Sequence, residues 1–174
     1  MTERAPGGKV HVVDYDTRWP QAFAREAERI RAAPGERALR IEHTGSTAVP
    51  GLAAKPMIDV VLVVADSREE SAYAPGLAAA GYRLCIREPE WYEHRMFQRP
   101  KPKTNLHVFS RDCAEVERML IFRDWLRNNG ADRELYARAK LALSQRRWER
   151  VQDYADAKTE IAEQIMNRAL ADKK

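Results

Sequence analysis

Glu42-His43-Thr44-Gly45-Ser46-Thr47-Ala48-Val49-Pro50-Gly51-Leu52-Ala53-Ala54-Lys55-Pro56-Met57-Ile58-Asp59 is the most informative run of the chain. Ala38 to Glu42 reads as a short strand, and His43 to Pro56 is rich in turn residues. Met57 to Val64 is β-branched and nearly continuous, the pattern of a strand buried on both faces. A strand therefore feeds a Gly-Ser turn, and a second strand returns a carboxylate to it. Gly45 lets backbone approach a ligand closely, while Ser46 and Thr47 offer hydroxyls and N–H groups at an expected helix start, where the dipole favours phosphate. Asp59 lies among apolar neighbours, where a carboxylate is costly unless paired or bound to a metal. A hydroxyl-and-amide cradle facing such an acid suits a metal–nucleotide complex. The plainer alternative is that Ser46 caps a helix and Asp59 accepts backbone amides; an acid on a strand thirteen residues after Ser46 favours the functional reading.

Outward from this stretch, helix and strand signals alternate. Val10, Val12 and Val13 read as a short edge strand. Asp16 or Thr17 is placed to cap a helix entered through Trp19-Pro20, where proline forfeits no needed N–H. Phe23, Ala27 and Ile30 recur at helical spacing until Pro34-Gly35. Ser71 to Ala80 is helical in composition, with Gly81 as its C′ residue. Tyr82 to Ile86, His94 to Gln98 and Leu106 to Phe109 are strand candidates, the last two forming a hairpin with a long basic tip around Pro100 and Pro102. Helical periodicity covers Glu115 to Asn128, Arg133 to about Arg150, and about Tyr154 to Ala171, with Asn129-Gly130 dividing the first two. The expectation is an α/β (α+β) fold in one domain over 1–174, with a mixed core at about 10–112 and a packed helical tail at about 113–171.

At 174 residues, 44% hydrophobic and 32% charged, the chain has the composition of a folded domain rather than a disordered or fibrous one. Its 30 basic and 26 acidic residues are spread evenly, unlike the basic stripe of a nucleic-acid binder. The exception is the segment 95–103, with Arg95, Arg99, Lys101 and Lys103 and no acid, which leaves RNA contact open although its tip lacks flanking aromatics for base stacking. Cys85 and Cys113 lack metal-like spacing and are too few for a disulfide scaffold. The longest apolar run, Met57 to Ala65, contains Asp59 and is too short to cross a bilayer. No apolar stretch follows the charges near Met1. These features predict a cytoplasmic chain with no membrane partner.

The central stretch, together with Trp91-Tyr92-Glu93-His94-Arg95, Asn105-Leu106-His107-Val108 and Phe122-Arg123-Asp124-Trp125-Leu126, resembles the signature of the bacterial GrpB family, roughly from Val10 to Met166. That family is placed in the nucleotidyltransferase superfamily, and a related domain occurs fused to bacterial dephospho-CoA kinases. The resemblance implies a nucleotidyltransferase-like mixed sheet flanked by helices, with a helical C-terminal region. The superfamily pattern is hydrophobic-Gly-Ser, a spacer of about a dozen residues, then Asp-hydrophobic-Asp/Glu. Gly45-Ser46 and Asp59 fall in place, but the second acid belongs at position 61, which is Val61. Two-metal transfer relies on paired carboxylates, so a second ion needs another ligand, with His107, Glu42, His43 and Glu93 as candidates.

On this reading Gly45, Ser46 and Thr47 cradle phosphates, Asp59 holds Mg²⁺, and Lys55 and Arg95 neutralise charge. His107 and His43 complete the polar site, with Asp59 and His107 as the catalytic pair, and Ser46, Asp59, Arg95 and His107 are expected to line one cleft. His107 shares a strand face with Asn105 and Phe109, so a hydrogen-bonded core histidine is its plain alternative. Trp125, Trp148, Tyr136 and Tyr154 fall at helical spacings and read as core. The expected function is binding of a nucleotide or other phosphorylated small molecule, with Mg-dependent transfer of a nucleotidyl group to an unidentified acceptor. The alternatives are a non-catalytic accessory domain that kept the cradle and lost the second carboxylate, and a metal-dependent hydrolase using His43, Asp59 and His107.

Overall fold

The computed structural model describes residues 6–173. Its strands and helices are β1 (Pro6–Gly8), α1 (Trp19–Ala32), β2 (Arg40–Thr44), β3 (Ile58–Val64), α2 (Ala74–Ala79), β4 (Arg83–Glu88), β5 (His94–Pro100), β6 (Lys103–Ser110), α3 (Ala114–Asn128), α4 (Gly130–Ser144), β7 (Trp148–Arg150) and α5 (Val151–Asp172). A five-stranded mixed sheet runs in the order β2-β3-β6-β5-β4. β3 and β6 are parallel, and the other neighbouring pairs are antiparallel.

The alternation along β3 explains the layers. Ile58, Val60, Leu62 and Val64 pack with Ile30 of α1, Leu77 of α2, Tyr73 and Phe97. Val61 and Val63, on the other face, pack with Phe109 and with Val116 and Leu120 of α3. Each fully buried aliphatic side chain contributes about 1.5–3 kcal/mol, so a strand covered on both faces anchors the fold. Asp59 shares the face of Val61 but sits one residue from the start of the strand, and its side chain stays 28% exposed. A third cluster joins Val49 and Leu52, from the segment after β2, to Leu126, Tyr136 and Ile165, which docks the C-terminal helices beside the Gly-Ser turn.

The structure departs from the sequence expectations at several ends. Val10 to Val13 is not a strand: Val13 makes a single bridge to Ala54, and the pairing nearby is β1 with β7. Valine-rich segments extend into a ladder only where a partner edge is available. The helix expected from Ser71 is confined to α2, after a 3-10 turn at Glu70–Ala72, because Pro75 sits at its start; Gly81, at φ +92°, does follow it. The β5–β6 hairpin has no long basic tip. Its strands run to Pro100 and resume at Lys103, which leaves proline at the ladder ends where its missing N–H is tolerated. Arg99 instead reaches the buried Glu26 at 3.1 Å, and Glu26 also accepts from the Tyr82 hydroxyl. α4 begins at Gly130 because the Asn129 side chain accepts the Asp132 N–H at 2.9 Å, and it ends at Ser144 as Trp148–Arg150 turns away to meet β1. Among the described residues no helix is long and apolar enough to cross a membrane.

Candidate functional site

β2 ends with Thr44 opposite Asp59, and the chain turns at Gly45 with φ +71°. A Cβ built on Gly45 would stand 2.6 Å from Asp59 Oδ2, so the carboxylate lies directly over the turn. Only glycine satisfies both the left-handed backbone and this approach. Gly45→Ala is expected to cost about 2–3 kcal/mol, combining strained φ with a clash against a confined group. Denaturant unfolding measures the loss, and an undiminished stability would show that Asp59 swings aside freely.

The Ser46–Ala48 segment is a single 3-10 turn, not the start of an α-helix as expected, so no helix dipole is aimed at the site. His43 and Thr47 hold this turn in place. Thr47 Oγ1 donates to the Met57 carbonyl at 3.1 Å and accepts from His43 Nε2 at 3.0 Å. The His43 ring stacks on Phe23 at 4.6 Å, on the α1 side of the sheet and away from the face that carries Asp59. Burial pulls its pKa down to about 4, so it stays neutral.

Positive charge comes from the C-terminal helices. A cavity of about 140 Å³ is lined by Gly45, Ser46, Thr47, Lys55 and Asp59 on one side and by Tyr136, Lys140, Tyr154 and Lys158 on the other. Lys140 is only 3% exposed; its ammonium donates to Ser46 Oγ at 2.8 Å and to the Ala53 carbonyl, and lies 5.0 Å from the Tyr136 ring. Lys158 and Lys55 lie 4.7 and 5.8 Å from the Tyr154 ring. Burial, reinforced by Lys158 and Lys55, lowers the Lys140 pKa to about 7, and burial with Lys55 lowers that of Lys158 to about 8. Three lysines and one carboxylate make the lining electropositive. A larger hollow between α3 and the end of α5, around Trp125 and Ala169, is lined by Asp124, Asp172 and Lys173 and gathers no comparable positive charge.

Beyond Asp59 the sheet face is polar. Asn105 Nδ2 donates to Asp59 Oδ1 at 3.2 Å, and His107 Nε2 lies 3.6 Å from that same oxygen. His107 Nδ1 is 3.0 Å from His94 Nε2, and His94 Nδ1 is 2.7 Å from Glu88 Oε2. Burial and the neighbouring His107 pull the His94 pKa to about 4, so that ring is neutral. The structure therefore brings together Gly45, Ser46, Thr47, Lys55, Asp59 and, at the edge, His107. Arg95 is not among them: its neighbour across the ladder is Val108, on the opposite face from His107, and Glu70 at 2.6 Å and Glu93 at 3.2 Å occupy its guanidinium. Glu42 is likewise engaged by Arg40 and Arg123 at 3.1 and 2.8 Å.

A family model described as GrpB protein matches residues 9–168. The chain belongs to the GrpB family. A UPF0157 protein of Halalkalibacterium halodurans is 56% identical over 93% of this chain and 83% of its own length. A dephospho-CoA kinase of Mycobacterium tuberculosis is 30% identical over 89% of this chain, which spans 44% of that longer protein. The crystal structure of conserved protein GrpB from Enterococcus faecalis matches with a TM-score of 0.80 at 28% identity, over 94% of this chain and 99% of that one. The Cid1 poly(U) polymerase matches with a TM-score of 0.53 at 7% identity, over 76% of this chain and 42% of that one, so this chain is similar in fold to a nucleotidyltransferase-like polymerase. Within this GrpB chain, the residues missed by sequence reasoning are Lys140 and Lys158, together with the role of the two tyrosines as cavity walls. A signal was present: Tyr136-Ala-Arg-Ala-Lys140 and Tyr154-Ala-Asp-Ala-Lys158 repeat one pattern, placing tyrosine and lysine on the same helix face.

Proposed function

We propose that this chain binds a nucleotide or another phosphorylated small molecule by its phosphates, between the Gly45-Ser46 turn and the lysines of α4 and α5. Lys140 carries the reading. A nearly sealed ammonium is costly without an anion, and Asp59 is the one carboxylate lining the cavity among the described residues. Phosphate oxygens beside Lys140, Lys158 and Lys55 would relieve that cost. The cavity is smaller than the roughly 300–1,000 Å³ of a site that engulfs a whole small molecule, so it suits phosphate groups with the rest of the ligand on the open side. Asp59, part-exposed at the wall, fits as one ligand of a divalent cation, Mg²⁺ in the sequence reading, which would neutralise phosphate charge.

Transfer of a nucleotidyl group would ask more of the site. Val61 is fully buried under α3, so the second acid has no place at that position, and this favours binding without transfer over the transferase reading. Partial coverage of a dephospho-CoA kinase fits an accessory module of the same kind. The hydrolase alternative needs His43 beside Asp59, and His43 faces α1 instead.

A thermal-shift panel of nucleoside triphosphates and inorganic tripolyphosphate, with and without Mg²⁺, tests the reading. Phosphate ligands are expected to raise Tm through linkage, and Asp59→Asn is expected to remove the Mg²⁺-dependent part. Lys140 titrates near pH 7 in the free protein and is charged in the complex, so binding takes up a proton above that pH. The shift is therefore expected to shrink between pH 7 and 9. No stabilisation by any of these ligands at millimolar concentration would refute the proposal.

A further inference from the structure

Glu88, His94, His107 and Asp59 form a row across the sheet, hydrogen-bonded from Glu88 to His107. The Glu88 carboxylate only accepts, so His94 carries its proton on Nδ1. His94 Nε2 and His107 Nδ1 share a hydrogen bond at 3.0 Å, which engages that nitrogen of His107 and turns the other toward Asp59. The His94 ring is 3% exposed and packed against Trp91 at 5.0 Å and Phe109 at 4.9 Å, so its orientation is held. His107 Nε2 lies 3.6 Å from Asp59 Oδ1, beyond direct hydrogen-bond reach.

We propose that Asp59 Oδ1 and His107 Nε2 together hold a first-row transition cation (Mn²⁺, Co²⁺ or Zn²⁺) in preference to Mg²⁺, with His94 and Glu88 fixing His107 as a ligand. Two ligand atoms each about 2.1 Å from an ion and 3.6 Å from one another subtend about 118° there, within the range of a distorted tetrahedral site. An imidazole nitrogen favours these ions over Mg²⁺, which takes oxygen. A carboxylate–histidine chain behind the ligand histidine is the usual means of fixing its tautomer. His107 pairs across the ladder with Val61, so the neighbouring strand supplies a nitrogen beside the position where the resembled pattern has its second acid. Among the described residues no group of three or more His, Cys, Asp or Glu could enclose an ion alone. The site therefore rests on the phosphate-pocket reading, with phosphate oxygens and water completing the shell.

Mn²⁺ with inorganic tripolyphosphate is the probe, followed by calorimetry and electron spin-echo spectroscopy. The wild type is expected to bind Mn²⁺ at least 10-fold more tightly than Mg²⁺ in the presence of tripolyphosphate and to show a directly bound nitrogen. His107→Gln is expected to abolish the nitrogen signal. His94→Gln should keep it while weakening Mn²⁺ by about 10-fold or more, as loss of a tautomer-fixing partner does. Should His94→Gln not melt cooperatively, Glu88→Gln makes the same test at a half-exposed side chain. No nitrogen signal in the wild type, or one unchanged in His107→Gln, overturns the metal site, as does equal affinity for Mg²⁺ and Mn²⁺. If tripolyphosphate binds without metal, and does so through Lys140, but Mn²⁺ never joins it, the pocket stands and the metal site falls. If tripolyphosphate binds under no condition, both fall.

Discussion

Val61→Asp, the change that would rebuild the superfamily's acid pair, is expected to lower stability by about 3–5 kcal/mol and to create no transferase. Val61 is fully buried against Val63, Phe109, Val116 and Leu120, where α3 closes over the sheet. A carboxylate there leaves water, and its neighbour on β6, His107, is already engaged by His94. Its neighbour across β2 is Glu42, a like charge whose arginines are already engaged. Burial raises the pKa of such an acid, so the destabilisation should deepen as pH rises and the group is forced to ionise. Denaturant unfolding at pH 5 and pH 8 measures both effects, with Val61→Thr as a near-isosteric control. A variant within about 1 kcal/mol of wild type that also gained cation affinity would mean the α3 interface opens readily, and the accessory reading would lose its main support.

Position 61 also marks where sequence and structure diverge in legibility. The run of β-branched residues in β3 shows in one dimension because burial on both faces leaves no alternation to decode. Gly45, Ser46 and Asp59 are legible for a related reason: the turn and the returning strand are close in sequence, so their spacing reports their meeting in space. What Val61 faces is not local. Whether that face is an open cleft or a packed layer depends on α3, more than fifty residues later. Arg95 failed by the same logic from the other side, since the basic run around it carries no sign that Glu70 and Glu93 neutralise it. The lysines were hidden differently. On an isolated helix a lysine reads as solvated, and only the docking of α4 and α5 beside the turn converts Lys140 into a buried cation over Ser46.

Lys140→Met should therefore act with opposite signs on stability and binding. In the folded, unliganded protein Lys140 has a pKa near 7 against an ordinary value of 10.5. The unfolded chain binds the extra proton between those values, so this group makes stability rise with pH from about 7 to about 10.5 and imposes its full penalty below pH 7. Methionine has a similar shape and no charge to desolvate. It does leave the Ala53 carbonyl and Ser46 hydroxyl without the ammonium donor, which offsets part of the gain. The unliganded variant is expected to be more stable than wild type by about 1–3 kcal/mol at pH 6, with the advantage gone near pH 10. Tripolyphosphate or nucleotide affinity should fall by at least about 30-fold, since removing one partner of a buried charge contact costs about 2–5 kcal/mol. Paired melting curves and titrations at the two pH values measure these effects. A Lys140 serving only to tie α4 to the Gly-Ser turn would give the reverse stability result, a less stable variant at every pH. Stability gained where ligand binding is lost is the signature of a residue held in a costly state for an anion to complete.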